Sequence, residues 1–216
     1  MSRALVASLL VALSSPLTAH ASEPEAGKLT VVHRYRKGFL LGIVTGFALG
    51  NGSGYPNDAQ KIGNPDYYSR SGTLPGNSFQ IFVGGALTDY LNFGVLFGGA
   101  SFKSDAWEAR ASGIGFRVET FPAVLLLPGQ RALAHLGLSA DLGVGTTRIQ
   151  ARGNYPTAEG FQSFLGASAF YEFDLFRLLG GHVALAPELS YKVAYAESAS
   201  VSYGTLAARL TFYGGP

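Results

Sequence analysis

The segment from His182 to Ala196, HVALAPELSYKVAYA, alternates between two kinds of residue along its whole length. One set, from Val183 to Tyr195, is apolar, and the other set is small or ionisable and includes Glu188 and Lys192. Because successive side chains of a β-strand point to opposite faces, the segment is predicted to be a strand with one apolar and one polar face. It is much longer than the usual strand of about five or six residues. Such a length suits a tilted strand that crosses a bilayer, which needs about nine to eleven residues.

The rest of the chain repeats this alternation, and eight strands are predicted in total. Bulky apolar side chains occupy one face of each strand, whereas Gly, Ala, Ser and occasional charges occupy the other. Two alternating runs flank the two-residue turn 89–90, which indicates an antiparallel hairpin. In the seventh strand, Pro187 cannot donate a hydrogen bond to the ladder and predicts a bulge. The predicted strands are 38–50, 78–88, 91–103, 109–121, 133–149, 161–173, 182–196 and 203–213. The predicted loops are 51–77, 104–108, 150–160 and 197–202, and the predicted turns are 89–90, 122–131 and 174–181.

The first 21 residues have the pattern of a secretory signal peptide. A short basic start at Ser2-Arg3 precedes the apolar run Ala4–Leu17 and the small-residue cleavage site Ala19-His20-Ala21. The run is shorter than the ~20 apolar residues of a membrane-spanning helix. We therefore predict export with cleavage before Ser22. Residues 22–37 are then a polar lead-in, and residues 38–213 are one barrel domain.

Composition narrows the class of protein. Charged residues make up 14% of the chain, below the ~25% typical of soluble domains, while the aromatic and glycine content is high. After the signal peptide there is no apolar run suited to a spanning helix, so a closed β-barrel is the remaining way to cross a membrane. With no cysteine, disulfides and thiol chemistry are excluded. A net charge of +2 is too small to indicate a nucleic-acid partner.

The polarity of the two faces distinguishes a membrane barrel from a soluble, lipocalin-like barrel. A membrane barrel turns its apolar face outward and its polar face inward. The small-residue face suits the narrow lumen of an eight-stranded barrel. The charges on this face are predicted to form a lumen network of Arg117, Glu119, Asp141, Glu172, Glu188, Lys192 and Arg209.

Two alternatives follow for the lumen. The charges can pair into a structural network that plugs the barrel, because unpaired charges in so confined a space are costly. They can instead line a gate or narrow polar path, an alternative that the many inward glycines favour. On the apolar face, only Arg110 and Arg148 are charged, and both lie near the loop ends of their strands. Aromatic residues near strand ends are predicted to form an interfacial girdle of Tyr171, Phe173, Tyr191, Tyr195 and Tyr213.

The long loop 51–77 is the candidate recognition surface. Its tyrosines, Tyr55, Tyr67 and Tyr68, lie among Asn, Ser and Gly, a composition suited to adaptable polar binding but also typical of a solvated loop. Its acidic residues do not have the spacing of a calcium loop, and we predict no metal and no cofactor. His135 and His182 are both predicted at the turn ends of strands, away from the outer rim. We therefore do not expect an enzyme.

In this pattern the chain resembles the small eight-stranded outer-membrane barrels of the OmpA/OmpX transmembrane-domain type. The last strand, YGTLAARLTFYGGP, is similar to the C-terminal assembly signal of that family, although it ends on Gly214-Gly215-Pro216 rather than on an aromatic residue. The resemblance implies an all-β, antiparallel, up-and-down transmembrane barrel in the outer membrane of a Gram-negative cell. It also implies contact with outer-membrane lipids, handling by periplasmic chaperones and the barrel-assembly machinery, and a monomeric state.

The expected role is structural or surface-interacting, with a largely occluded lumen. A narrow, porin-like channel for small solutes is the main alternative. A lipid-modifying enzyme is a further alternative, because some barrels that resemble this one are lipid A deacylases or palmitoyltransferases.

Overall fold

The computed structural model describes residues 36–127, 130–151 and 158–215, and these form an all-antiparallel sheet that closes into a barrel. A short helix, α1 (Pro122–Leu126), and two 3₁₀ turns at Pro65–Tyr67 and Arg131–His135 lie in the connections. The signal peptide predicted at 1–21, and the lead-in as far as residue 35, lie outside the described residues. The strands are β1 (Gly38–Gly54), β2 (Ser69–Thr88), β3 (Leu91–Lys103), β4 (Trp107–Thr120), β5 (Leu136–Ala151), β6 (Ala158–Tyr171), β7 (Phe173–Leu178), β8 (Gly181–Tyr195) and β9 (Ala199–Gly214).

Closure comes from two pairings, β1 with β9 and β6 with β8. Because β7 continues the line of β6, the nine segments make eight barrel strands, and the predicted eight-stranded antiparallel up-and-down barrel is confirmed. A path through cross-strand partners leaves β9 at Tyr213, passes Leu40 and Arg117, and returns to β9 at Tyr203, ten residues away. This stagger is the shear of the barrel, and closed barrels of this kind tilt their strands by about 35–45°.

The sixth barrel strand is interrupted at Glu172. The pairing of β6 with β8 ends at Phe170 opposite Glu188, and that of β7 begins at Phe173 opposite Leu185. Pro187 lies opposite this interruption, whereas its own register with β9 is continuous. The predicted bulge at Pro187 is therefore wrong. The ladder is instead interrupted in the neighbouring strand, at Glu172. Because the interruption faces Pro187, the missing N–H of this proline costs no hydrogen bond.

The predicted loop 51–77 is wrong at both ends. β1 continues to Gly54 and β2 begins at Ser69, so the irregular part is only 55–68. Asn51 pairs with Thr73 although both are polar, because backbone groups alone form the ladder. Pro75 is tolerated because β3 pairs with β2 only from Gly76 onward, which leaves the β3 side of Pro75 outside the ladder.

Other predicted connections also differ. The turn 174–181 is mostly strand β7, and residues 133–135, predicted as strand, form the end of a 3₁₀ turn. The turn 122–131 contains α1, where proline occupies a first-turn position that needs no N–H donor. The loops 104–108, 150–160 and 197–202 are shortened by the ends of β4, β5, β6 and β9. Residues 152–157 of these lie outside the described part of the chain.

The outer surface of the barrel is apolar. Large side chains such as Phe47, Phe116, Leu142, Leu165 and Leu206 are each more than half exposed. Their sequence neighbours point inward and are buried, as the alternation predicts. Among the described residues, no helix is long and apolar enough to span a membrane. We call the end of the barrel that carries the connections 55–68, 104–106 and 196–198 the loop side, and the opposite end, with both described termini, the turn side.

Candidate functional site: the barrel lumen

Buried charges fill the turn-side half of the lumen. Within the described residues, four cations and four anions point inward, and each is at most 3% exposed. Seven of them are the residues predicted from the sequence, and the structure brings all seven together. The eighth is Arg36, from the segment that precedes β1. The eight charges are Arg36, Arg117, Lys192 and Arg209, and Glu119, Asp141, Glu172 and Glu188.

Asp141 is the centre of the first cluster. Arg117 donates to it with two nitrogens, Nε to Oδ1 at 2.7 Å and Nη2 to Oδ2 at 2.9 Å. The Nζ of Lys192 lies 2.6 Å from the same Oδ2. Gln80 accepts from Arg117 Nη2 at 3.0 Å and from Lys192 Nζ at 2.9 Å. One carboxylate and one amide thus hold two cations through charge-assisted bonds, which are the stronger kind.

Arg209 and Glu119 form the second cluster. Arg209 Nη2 donates to Glu119 Oε2 at 2.8 Å, and its Nε donates to Thr211. Glu188 lies between the two clusters, 3.8 Å from Arg117 and 3.6 Å from Arg209. These longer contacts join the clusters electrostatically without a direct hydrogen bond.

Arg36 closes the turn side of the lumen. Its Nε and Nη2 contact Glu172 Oε2 at 3.0 and 2.9 Å, and its guanidinium carbon lies 3.3 Å from the centre of the Phe121 ring. It also donates to the carbonyls of Asp89 and Ala134. Arg36 belongs to the segment 22–37, which is predicted as a polar lead-in. The one available signal was its position two residues before a strand that begins at the turn side.

Tyr213 also belongs to this end and not to the girdle. It is buried, and its hydroxyl donates to Glu172 Oε1 at 2.5 Å. Its predicted place in the aromatic girdle is therefore wrong, although alternation from the inward Arg209 already put it on the inner face. The other proposed girdle residues lie on the outside: Phe173, Tyr191 and Tyr195 are exposed and Tyr171 is half-buried.

The inward glycines do not leave an open path. A Cβ on Gly42 would lie 1.9 Å from the Phe82 ring, and one on Gly143 would lie 2.4 Å from the Phe164 ring. Each of these two glycines therefore makes room for the aromatic ring of its cross-strand partner on the neighbouring strand. The enclosed space beside Gln80, Gln162 and Lys192 has a volume of about 10 Å³, the lower limit for one water molecule.

The loop-side half of the lumen is filled by apolar residues. Leu74, Phe102, Ile149 and Val201 are fully or almost fully buried. The Phe102 ring lies 5.4 Å from that of Tyr203, and a Cβ on Gly50 would lie 2.7 Å from Phe102. The lumen is thus packed at both ends, by paired charges on the turn side and by rings and branched side chains on the loop side.

The loop tyrosines divide into two groups. The Tyr55 and Tyr68 rings are 4.9 Å apart, and Arg70 lies 5.3 Å from the Tyr68 ring. Tyr67 instead faces Lys61, at 5.7 Å. A hydrogen bond to Ser53, with Arg70 nearby, lowers the pKa of Tyr68.

Asp58 and the histidines complete the ionisable groups of interest. The backbone N–H of Gln60, followed by Lys61 at 3.1 Å, lowers the pKa of the exposed Asp58. His182 stacks on Tyr213 at 4.7 Å and His135 lies 6.0 Å from the Tyr171 ring, both at the turn side. Within the described ranges, no three His, Asp or Glu residues are grouped so as to hold a metal ion.

The fold and the lumen define an eight-stranded barrel with an apolar exterior and a packed interior that is charged in its turn-side half and apolar in its loop-side half. No protein-family model matches the chain, and no curated protein is similar to it in sequence. Solved structures with a similar course include neisserial surface protein A, with a TM-score of 0.49 and 13% identity over 80% of this chain and 97% of that one. The attachment invasion locus protein Ail of Yersinia pestis has a TM-score of 0.43 and 12% identity, over 80% of this chain and 98% of that one.

The outer membrane protein OprG from Pseudomonas aeruginosa has a TM-score of 0.35 and 10% identity, over 84% of this chain and 99% of that one. At these values the likeness carries no argument about role. The barrel assignment rests on the strand pairing of this chain itself.

Proposed function

We propose that the protein is an integral outer-membrane barrel with an occluded lumen, and that its role is structural or surface-interacting rather than conducting or catalytic. The apolar exterior supports a lipid surround, since an array of exposed Phe and Leu side chains is unfavourable in water. The inward charges support it as well, because membrane barrels are polar inside. The predicted signal peptide supports export to the outer membrane.

The observation that carries the occluded lumen is the complete pairing of its buried charges. Four cations meet four anions, and their contacts run from Arg36 at the turn side to Lys192. A conducting pore needs water between such groups. Here Glu172, Asp141 and Glu119 accept hydrogen bonds from guanidiniums directly, and Glu188 lies 3.6 Å from Arg209. Aromatic rings occupy the space beside inward glycines such as Gly42 and Gly143.

Planar-bilayer conductance tests this proposal. The purified protein, inserted into a lipid bilayer, is expected to give no discrete openings. The double variant Arg117→Ala with Phe164→Ala removes one central charge and one aromatic ring from the packed lumen. In the same measurement it represents a barrel with a widened interior, against which the unmodified protein is compared. Steady discrete openings from the unmodified protein would overturn the occluded lumen in favour of the small-solute channel.

The membrane location has its own test. Folded barrel in detergent should migrate faster on a gel than heated protein and should show a β-type circular dichroism spectrum. Membrane fractionation of cells is expected to place the protein with the outer membrane. A protein that stays dispersed without detergent would contradict the proposed location whatever the lumen conducts.

The surface-interacting form of the proposed role is supported by the aromatic and basic side chains on the loop side. Tyr67 and Tyr68 are about 40% exposed although their rings are held next to Lys61 and Arg70. Rigid tyrosines beside polar groups provide contact area at a low entropic cost. Whole cells with Tyr67→Ser and Tyr68→Ser are expected to lose binding to a surface ligand while the barrel still folds. If the variant cells bind the ligand as the unmodified cells do, the surface that contains Tyr67 and Tyr68 is not the binding surface.

A further inference from the structure

Two arginines lie directly opposite each other on the outside of the barrel. Arg110 on β4 pairs in register with Arg148 on β5, and both side chains are exposed, by 66% and 57%. Like charges placed opposite each other across a ladder are unfavourable. Two guanidiniums therefore lie at one level on the otherwise apolar exterior, near the loop ends of β4 and β5.

The neighbours of the pair hold the arginines from their outer sides. Glu108 lies 2.5 Å from Arg110, and Glu159 lies 3.9 Å from Arg148. Glu108 is two residues nearer the loop, and Glu159 is one strand further round the barrel. Each carboxylate thus contacts one guanidinium only.

A groove of about 420 Å³ lies at this place. Arg110 and Arg148 line it, together with the exposed hydroxyl residues Ser112 and Thr146 one row below. Its remaining lining residues are Thr147, Glu159 and Gly160. The hydroxyls of Ser112 and Thr146 are 3.4 Å apart, a long contact in which either can be the donor, so one of the two protons is available to a third group. Two guanidiniums and two hydroxyls form a donor set suited to a phosphate.

The residues below the groove indicate the rest of the ligand. The next outward pair on β4 and β5 is Ile114 with Val144, followed by Phe116 with Leu142. Phe161, which is 70% exposed, lies opposite Thr146 on β6. From the loop side downward, the surface therefore changes from charged to hydroxyl to apolar over three rows. A phosphorylated lipid has the same order of groups, with its headgroup above its acyl chains.

We propose that Arg110, Arg148, Ser112 and Thr146 bind the phosphate of a lipid in the leaflet on the loop side. This rests on the proposed membrane location. The acyl chains would lie over Ile114 and Val144. Glu108 and Glu159 orient the guanidiniums and at the same time limit the affinity, because their charge repels the phosphate.

The site is tested by measuring lipid binding to the protein in neutral detergent micelles, with native mass spectrometry as the detection method. Diphosphoryl lipid A is the probe. Because one basic residue near a charged lipid surface contributes about 1 kcal/mol, each of R110Q and R148Q is expected to lower the affinity about fivefold. The double variant should lose about 25-fold, and E108Q with E159Q should tighten binding. R177Q, an exposed arginine on β7 at the turn side, is the matched control and should bind like the unmodified protein.

The outcomes separate the sources of phosphate and the two proposals. The unmodified protein should bind the same lipid without its phosphates no better than the double variant binds diphosphoryl lipid A. If the unmodified protein binds the two lipids with equal affinity, phosphate recognition is contradicted. Inorganic phosphate that competes as well as the lipid would overturn the lipid in favour of a free anion. A double variant that binds normally, or an R177Q that weakens as much, would overturn the site. Heat-modifiable migration of every variant reports the barrel separately, so its loss identifies a failure of the proposed membrane barrel.

Discussion

The two halves of the lumen are filled in different ways. On the turn side, charges such as Asp141 and Arg209 are stabilised by specific partners, whereas on the loop side Phe102 and Ile149 are stabilised by close packing. A charge that loses its partner keeps its desolvation cost, but an apolar side chain that loses a neighbour loses only that contact. The barrel is therefore closed twice, by two kinds of interaction that should respond differently to mutation.

The largest effect is expected on the turn side. Arg209→Leu leaves Glu119 buried without its 2.8 Å partner and should lower the free energy of unfolding by about 3–5 kcal/mol. Two carboxylates lie near Arg209. Glu119 is the one to replace in the double variant, because Glu188 lies further from Arg209, at 3.6 Å. The double variant with Glu119→Leu should therefore be more stable than Arg209→Leu alone. Urea unfolding of the barrel in detergent measures this, and additive losses would argue against one shared network.

A smaller effect is expected on the loop side. A Cβ on Gly50 would meet the Phe102 ring at 2.7 Å, so Gly50→Ala should destabilise the barrel by about 1–3 kcal/mol through overpacking. Adding Phe102→Leu should recover part of that loss in the same unfolding assay. Gly204→Ala is the matched control. A Cβ on Gly204 would lie 3.7 Å from the nearest atom, so this substitution should leave the free energy of unfolding almost unchanged. Equal losses for the two glycines would contradict a packed loop-side lumen.

The smallest effect is expected for the solvent-exposed ion pair between Asp58 and Lys61 in the loop. This pair is the reference with which the buried ion pairs are compared. The Gln60 N–H, and then Lys61, lower the pKa of Asp58 below its ordinary value. Any stabilisation from this group is thus present above the ordinary pKa and is lost as the pH falls through the lowered one. Lys61→Met should raise the pKa only part of the way, because the Gln60 hydrogen bond remains. An NMR titration measures it, and a full return to the ordinary value would assign the shift to Lys61 alone.

The sequence predicted the barrel and the inward charges because one property, the period of two, controls both. Once Glu188 and Lys192 are inward, the geometry of a strand leaves no choice for their neighbours. The ends of the strands were harder to predict. Asn51 and Thr73 are polar, and the backbone ladder that joins them does not depend on side-chain type.

Contacts between distant parts of the chain were the main omission. Arg36 lies outside every alternating segment, and only the closed barrel brings it to Glu172, 136 residues later in the chain. The interruption at Glu172 depends in the same way on Pro187 in the next strand. The aromatic character of Tyr213 suggested a girdle residue, whereas its position two pairs after the inward Arg209 already indicated the lumen.

The position of Arg209 in the last strand has a consequence for how the chain becomes a barrel. Without β9, the described inward charges are three cations and four anions, and Glu119 lacks its closest guanidinium. A sheet of the preceding strands would thus carry a net negative inner surface that attracts any available cation. When β9 docks, it closes the ladder, delivers Arg209 to Glu119 and Tyr213 to Glu172, and brings the inner charge to neutrality in one step. The last strand therefore completes the hydrogen bonding and the charge balance together, so an unclosed chain differs from a closed one in its internal charge as well as its shape.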